Sequence, residues 1–356
     1  MNAVKEETPP VNLKTHSPVM QNPRFLKIPI IKKAPKHKPK FKILRLGTNS
    51  KKFSSRVKEF LHLHDCKLRF FMTWISPIGF FGDREILAIE GLFKSHPNAC
   101  LVIVSNSLDS GKGNKTILKP FTDKGFKLIA AMPDFDYIFK NTSAAIWFNE
   151  LKRGTIHPGD VPLGQNLSNL LRLALLYKFG GIYVDTDVVL LKSLSSLRNS
   201  IGAQTTDTET RNWTRLNNAV MIFDKEHPLL YEFIQEFSFT FNGNRWGHNG
   251  PYLVSRVASR VIDNPGFNFT VLNPSAFYPV DWSRIRSLFR KPKDEMHSKF
   301  LRKKLETIRN ESFAVHLWNK HSRKFTVEEG SIIDHIRSDC CIFCNHSSSG
   351  VHVITK

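Results

Sequence analysis

From Leu68 onward the chain alternates apolar strand-length runs with helical stretches, which predicts an α/β protein with a mostly parallel central sheet and helices on both faces. Three observations carry this. Leu68 to Ile75 and Cys100 to Val104 are nearly unbroken apolar runs, as strands buried on both faces require. Between them Asp83 opens a stretch in which Ile86, Leu87, Ile89, Leu92 and Phe93 recur at helical spacing. Further on, Leu167 to Phe179 is apolar nearly all round, so it is a helix without a solvent face, stopped by Gly180-Gly181 before the strand Ile182-Tyr183-Val184.

The remaining elements follow in order. Ser105 to Asn114 is rich in Ser, Asp, Gly and Asn and reads as a loop, after which a short helix leads to a strand at Phe126 to Ala131. Gly111-Lys112-Gly113-Asn114 completes neither a dinucleotide fingerprint nor a Walker loop and reads as a flexible connection. Pro133 to Gly159 is aromatic and irregular and lies where a lid over a site would be placed, although core packing suits most of its rings, Phe135, Phe139, Trp147 and Phe148 among them.

With 356 residues, 41% of them hydrophobic, the chain suits one large domain with tails. The expected division is a basic, Pro/Lys-rich stem over 1–66, a catalytic domain over 67–345 with halves at about 67–195 and 196–345, and a tail over 346–356. The net charge of +21 first suggests nucleic acid, but much of it sits from Lys27 to Lys58 among prolines, without interleaved aromatics or a known module. No specific nucleic-acid partner is expected. No apolar run reaches 18 residues and the first 30 lack the core of a signal peptide, so no membrane anchor is expected within this chain. Seven glycosylation triplets begin at Asn114, Asn141, Asn166, Asn212, Asn268, Asn310 and Asn345, with Asn166 too close to an apolar helix to be accessible. The five cysteines cannot all pair; Cys341 and Cys344 form a lone C-x-x-C, read as a disulfide rather than as a zinc site with His335 or His346.

The chemistry concentrates at the end of the Ile182 strand. Asp185 and Asp187, one residue apart, project to the same side of an extended chain, at the carboxyl end of a strand where ligands of open parallel sheets bind. Both can approach one hard cation. In the preceding helix Gln165, Ser168, Asn169 and Arg172 form a polar stripe whose one charge is Arg172. A buried Arg must meet a carboxylate or a ligand's negative charge, and the Asp pair or a diphosphate answers that need.

The segments Ser168 to Arg172 and Tyr177 to Asp187 resemble the Asp-X-Asp region of the alpha-1,4-glycosyltransferases. The likeness continues in the family's order through Leu216 to Ala219, Trp246 to Pro251, Ala276 to Pro279 and Ala314 to Asn319, and Arg69 to Ser76 looks like plant members. The resemblance implies a GT-A fold, a UDP-sugar donor, a Mn2+ or Mg2+ cofactor, retention at the anomeric carbon, a glycan or glycolipid acceptor, membrane association and the Golgi lumen. It further implies that Asp187 is a metal ligand, that Asp185 holds the ribose or a metal-bound water, and that His316 completes the coordination. Arg172 joins the two Asp residues in the catalytic set; Trp74, Ser76, Gln165, Asn169, Arg172, Asp185, Asn217 and Asn218 are the expected donor site, with Trp74 stacking on uracil. Trp246, His248 and Asn249 form the acceptor group. One departure is Asn169, where related enzymes usually carry Asp; the other is the absent anchor. Two rival readings stand beside this one. Tyr183 to Leu190 also fits the D-x-D-x-[TV] strand of a haloacid-dehalogenase-like phosphatase, with Asp185 as nucleophile, although no Gly-Asp or Asp-Asp step follows Asp187. The second is a catalytically impaired glycan-binding homologue.

Overall fold

The computed structural model describes residue 47 and residues 50–344. Most of the basic stem, Asn345, His346 and the tail lie outside the described residues. The apolar runs become strands β1 Arg69–Thr73, β2 Cys100–Val104, β3 Lys127–Ala131, β4 Gly181–Val184, β5 Val188–Leu190, β6 Ser200–Thr206, β7 Trp213–Phe223, β8 Thr270–Leu272 and β9 Ala314–His316. Seven of them make one sheet in the order β3-β2-β1-β4-β7-β6-β8, and β5 pairs with β9 in a second. Within the large sheet β7 alone runs against the others. This is the expected α/β arrangement with a mostly parallel sheet, and both expected halves contribute strands to it.

Alternation along each strand divides the core into two layers. Phe70 and Met72 of β1 face the helices Asp83–Ser95, Glu295–Glu311 and Ile332–Cys340. Phe71, with Val102 and Tyr183, faces Phe53–Leu63, Leu163–Phe179, Pro228–Thr240 and Pro251–Val261. The helix Leu163–Phe179 packs on β1, β4, β7 and the helix Pro228–Thr240 at once, which is why its sequence is apolar all round. Its exit is tight: Gly180 and Gly181 have φ of +63° and +113°, and a Cβ on Gly181 would stand 2.5 Å from the Arg69 carbonyl oxygen. Only glycine turns the helix directly into β4 there.

One expectation is corrected. Gly111–Gly113 is a helical turn rather than a flexible loop, since a Cβ on Gly113 would stand 2.3 Å from the Leu108 carbonyl. Pro133 to Gly159 forms the helices Phe135–Phe139 and Ser143–Arg153, and its rings Phe135, Phe139, Trp147 and Phe148 are buried in the core, as the core-packing reading expects. Cys341 and Cys344 form the expected disulfide, and a second, Cys66 to Cys100, joins the approach to β1 to the first residue of β2. Cys340 is free and buried, and burial pushes its thiol up to about 12. Asn166 is buried, as its position beside the apolar helix implies. Among the described residues no helix is long and apolar enough to cross a membrane.

His96, just past the helix Asp83–Ser95, holds the chain leaving β5. Its buried Nε2 accepts from the Leu194 backbone N–H at 2.8 Å, so Nδ1 carries the proton and donates to Leu92 O at 3.2 Å. Burial holds its pKa below the ordinary 6.5. The unfolded chain therefore takes up the proton first as pH falls, so this stabilisation is complete above about pH 6.5 and is lost progressively below it. We expect the urea midpoint to fall between pH 7 and pH 5.5 and His96→Ala to flatten that slope, at a cost of about 1–3 kcal/mol at pH 7.5 for the unpaired Leu194 N–H. An unchanged slope in the variant would refute this role.

Candidate metal centre and its cleft

The sheet carries Asp185 to its edge. Its backbone N–H donates to Ala219 O of β7 at 2.8 Å, so the residue is still clasped where β4 ends. Asp187 follows as the chain bends into β5. There the antiparallel pairing sets Val188 opposite His316 of β9 and lays the imidazole beside Asp187, with Nε2 3.2 Å from Oδ1. One possible ligand atom from each of Asp185, Asp187 and His316 falls within 4.8 Å of the others, the one such group of three among the described residues.

Arg172 is 2% exposed and fully engaged. Its Nη1 donates to Asp185 Oδ2 at 3.0 Å and to Asn218 O at 2.7 Å, and Nη2 lies 2.9 Å from Asp185 Oδ1 and donates to Ser168 Oγ at 3.2 Å. Nε donates to Ser168 O at 3.3 Å, and the guanidinium lies 4.6 Å over the Tyr183 ring. The Tyr183 hydroxyl donates to Asp185 Oδ1 at 2.7 Å and meets Thr73 Oγ1, which in turn meets Ser168 Oγ at 2.6 Å. Of the two partners open to Arg172, the structure supplies the acid. Burial raises the Asp185 pKa against the pull of Arg172, and burial likewise raises that of Tyr183. Both Asp185 oxygens are thus tied up, which does not suit the nucleophile of the phosphatase reading.

Asp187 has the opposite environment. Burial alone would raise its pKa, but the His316 imidazole beside it, their hydrogen bond and the Asn319 N–H, donating to Oδ2 at 2.9 Å, outweigh that and hold it at about 2. Trp318 makes the turn between His316 and Asn319 in the left-handed region at φ +52°, with Nε1 anchored to Val280 O at 2.9 Å. The following loop is clamped by the start of the helix Asp83–Ser95. Arg84 donates to Asn319 Oδ1, Ser322 Oγ, Ser322 O and Phe325 O, while Glu85 accepts from Arg323 at 2.7 Å.

The donor set fits a hard divalent cation. Two carboxylates and an imidazole face one point, the pKa of Asp187 keeps it ionised, and His316 Nδ1 is buried without a hydrogen-bond partner. An imidazole with one orphaned nitrogen and the other aimed at a carboxylate has its hydrogen bonding incomplete.

These residues line a cleft of about 1120 Å³ together with Trp74, Ser76, Gln165, Asn169, Asn217, Asn218 and Trp246. Asn169 Oδ1 accepts from Asn218 Nδ2 at 3.1 Å, while the Asn217 amide is spent on Gln204 and on the Ala219 N–H. Trp74 is 7% exposed and packs edge-on against Phe81. Two expected residues stand outside the cleft lining. His248 donates from Nε2 to Thr240 O, and the buried Asn249 amide donates to Asn166 Oδ1 and Asn242 O. They build the turn beneath Trp246 rather than a binding surface. The sequence reading missed Thr73, Tyr183, Arg84, Glu85 and Asn319. Tyr183 was recoverable, since it stands two residues before Asp185 and shares its side of the strand.

The chain is similar to several known proteins. The family description "Alpha 1,4-glycosyltransferase conserved region" matches residues 222–348, and "Glycosyltransferase sugar-binding region containing DXD motif" matches residues 82–207. An uncharacterized protein of Arabidopsis thaliana is 32% identical over 302 residues, 82% of this chain and 45% of that protein. The lactosylceramide 4-alpha-galactosyltransferase of Mus musculus is 31% identical over 68% of this chain and 65% of its own length. That of Pongo pygmaeus is 30% identical over 58% and 91%. The chain thus spans less than two thirds of the first two of these relatives. Among solved structures the PaToxG glycosyltransferase is similar at 20% identity, covering 60% of this chain and 79% of that one with a TM-score of 0.41. On the strength of the sequence matches, the chain belongs to the alpha-1,4-glycosyltransferase family.

Proposed function

We propose that this chain is a retaining, metal-dependent glycosyltransferase that moves a hexosyl or N-acetylhexosaminyl group from a UDP-sugar to a glycan or glycolipid, forming an alpha-1,4 linkage. The observation that carries this is the grouping of Asp185, Asp187 and His316 in a large cleft. Asp187 and His316 hold the cation, Mn2+ or Mg2+, with Asp185 beside them. When bound, that cation offsets the negative charge gathering on the leaving diphosphate. Arg172 acts through Asp185, whose orientation it keeps. Trp74 and Ser76, at the end of β1, serve the nucleotide end, with Gln165 across the cleft. Asn169 Nδ2 and Asn218 Oδ1 carry no other hydrogen bond among the described residues and offer a donor and an acceptor to sugar hydroxyls.

In the transfer, the bond from the donor's C1 to the diphosphate oxygen breaks and a bond from an acceptor hydroxyl oxygen to C1 forms. The carboxylates lining the cleft are Glu85, Asp185 and Asp187, and each is held by an arginine or an imidazole. That favours front-side attack, with the hydroxyl proton leaving on the departing diphosphate, over a covalent enzyme intermediate. Residence in the Golgi lumen is supported by the two disulfides, which persist in oxidising compartments. The impaired-homologue reading loses its ground because the charge of Arg172 is balanced by Asp185, so Asn169 leaves no unpaired cation.

A screen of UDP-sugars for Mn2+-dependent hydrolysis tests the whole reading, and no turnover with any donor would refute it. With the preferred donor, EDTA should abolish turnover and Asp187→Asn should lower kcat/KM by about 10²-fold or more. His316→Ala should weaken Mn2+ binding measured without donor, and unchanged affinity would remove His316 from the ligand set. Asn169→Ala should raise the donor KM about tenfold, or ~1–1.5 kcal/mol, because it removes a hydrogen bond to a sugar hydroxyl, while its Mn2+ affinity tracks wild type.

A further inference from the structure

The cleft holds more positive charge than a nucleotide sugar can use. Arg172 is answered by Asp185, Arg323 by Glu85, and Asp187 belongs to the cation site. That leaves Arg215 and Lys324, which no carboxylate pairs among the described residues. A nucleoside diphosphate sugar with its divalent cation is close to neutral, so the excess faces the other substrate.

Arg215 is the informative member. It stands on β7 four residues from Ala219, whose carbonyl accepts from the Asp185 backbone. At roughly 3.4 Å per residue that sets its backbone about 14 Å along the sheet from the residue that clasps Asp185. Arg215 thus leaves β7 along the cleft from the metal centre, and no carboxylate pairs it among the described residues. The guanidinium stacks 4.5 Å over the Tyr252 ring, which holds its plane while leaving its edge of N–H donors free. Beside it Trp246 and Tyr252 line the cleft and are 47% and 37% exposed; Lys320 covers one face of Trp246 and Arg215 one face of Tyr252, so contact with sugar rings falls to the ring surface those cations leave. A planar fork of donors beside aromatic surface matches a carboxylate carried on a sugar ring.

We propose that the acceptor is an acidic glycan and that Arg215 holds the carboxylate of a hexuronosyl residue in it, with Trp246 and Tyr252 bearing the sugar rings. This rests on the transferase reading above for the word acceptor, and it adds the acceptor's charge and the residue that reads it.

The test compares trigalacturonic acid with its methyl ester, which differ in charge and not in ring structure, by titration calorimetry in Mn2+ and UDP. Wild type should bind the acid about tenfold more tightly than the ester, the ratio should fall below about twofold in Arg215→Gln, and Arg215→Lys should restore part of it. Equal binding of acid and ester by wild type overturns the proposal, as does an unchanged ratio in Arg215→Gln. Sugar transfer from UDP-donors to the same acid is measured in parallel. Discrimination with neither transfer nor hydrolysis of any UDP-sugar refutes the transferase reading and supports an acidic-glycan site, whereas transfer or hydrolysis without discrimination does the reverse.

Discussion

The burial of Arg172 is the constraint on which the site depends. A guanidinium taken out of water is tolerated only when its donors are met, and here they are met by three separate elements: Ser168 of its own helix, Asp185 beyond β4, and the Asn218 carbonyl of β7. Because the fork is planar and engages both oxygens of Asp185, it sets the plane of that carboxylate as well as its charge. The apolar helix, the two-glycine turn and the short β4 are what bring the partners into reach. Replacing any of them would leave a buried charge without its complement.

The second half of the metal centre is built differently. His316 and Asp187 are remote in sequence, and a two-stranded sheet, not the main one, aligns them. The polypeptide after His316 is then held by side chains: Trp318 in a left-handed turn, Arg84 on the loop carbonyls, and Glu85 against Arg323. One wall of the cleft is therefore a packed sheet edge and the other a loop fastened by polar contacts at its base.

This difference explains what the sequence disclosed. The strands, the buried helix, the Asp pair and the need of Arg172 for an acid are local, each following from a run of residues or from the cost of one buried charge. The clamp by Arg84 and Glu85 is not local, because polar residues in the first turn of an amphipathic helix look solvated until the loop they hold is known. The Cys66 to Cys100 bridge likewise follows from strand neighbours rather than from spacing. The error at His248 and Asn249 has the same root. A polar cluster beside two glycines reads as a binding surface, yet buried amides and imidazoles are equally needed to satisfy the carbonyls of a tight turn.

Asn169 shows how placement changes the meaning of a residue. Judged from sequence, an amide where relatives usually carry an acid removes the counter-charge of Arg172. In the fold that counter-charge comes from Asp185, and Asn169 instead pairs with Asn218 through one hydrogen bond that leaves each amide a second group for a ligand. An acid at this position would set a second carboxylate near Arg172 and bring negative charge toward the sugar site. The amide keeps that part of the cleft neutral. Sugar recognition then rests on matching donors and acceptors to hydroxyls, the kind of contact that discriminates most strongly when a buried partner is left unmet.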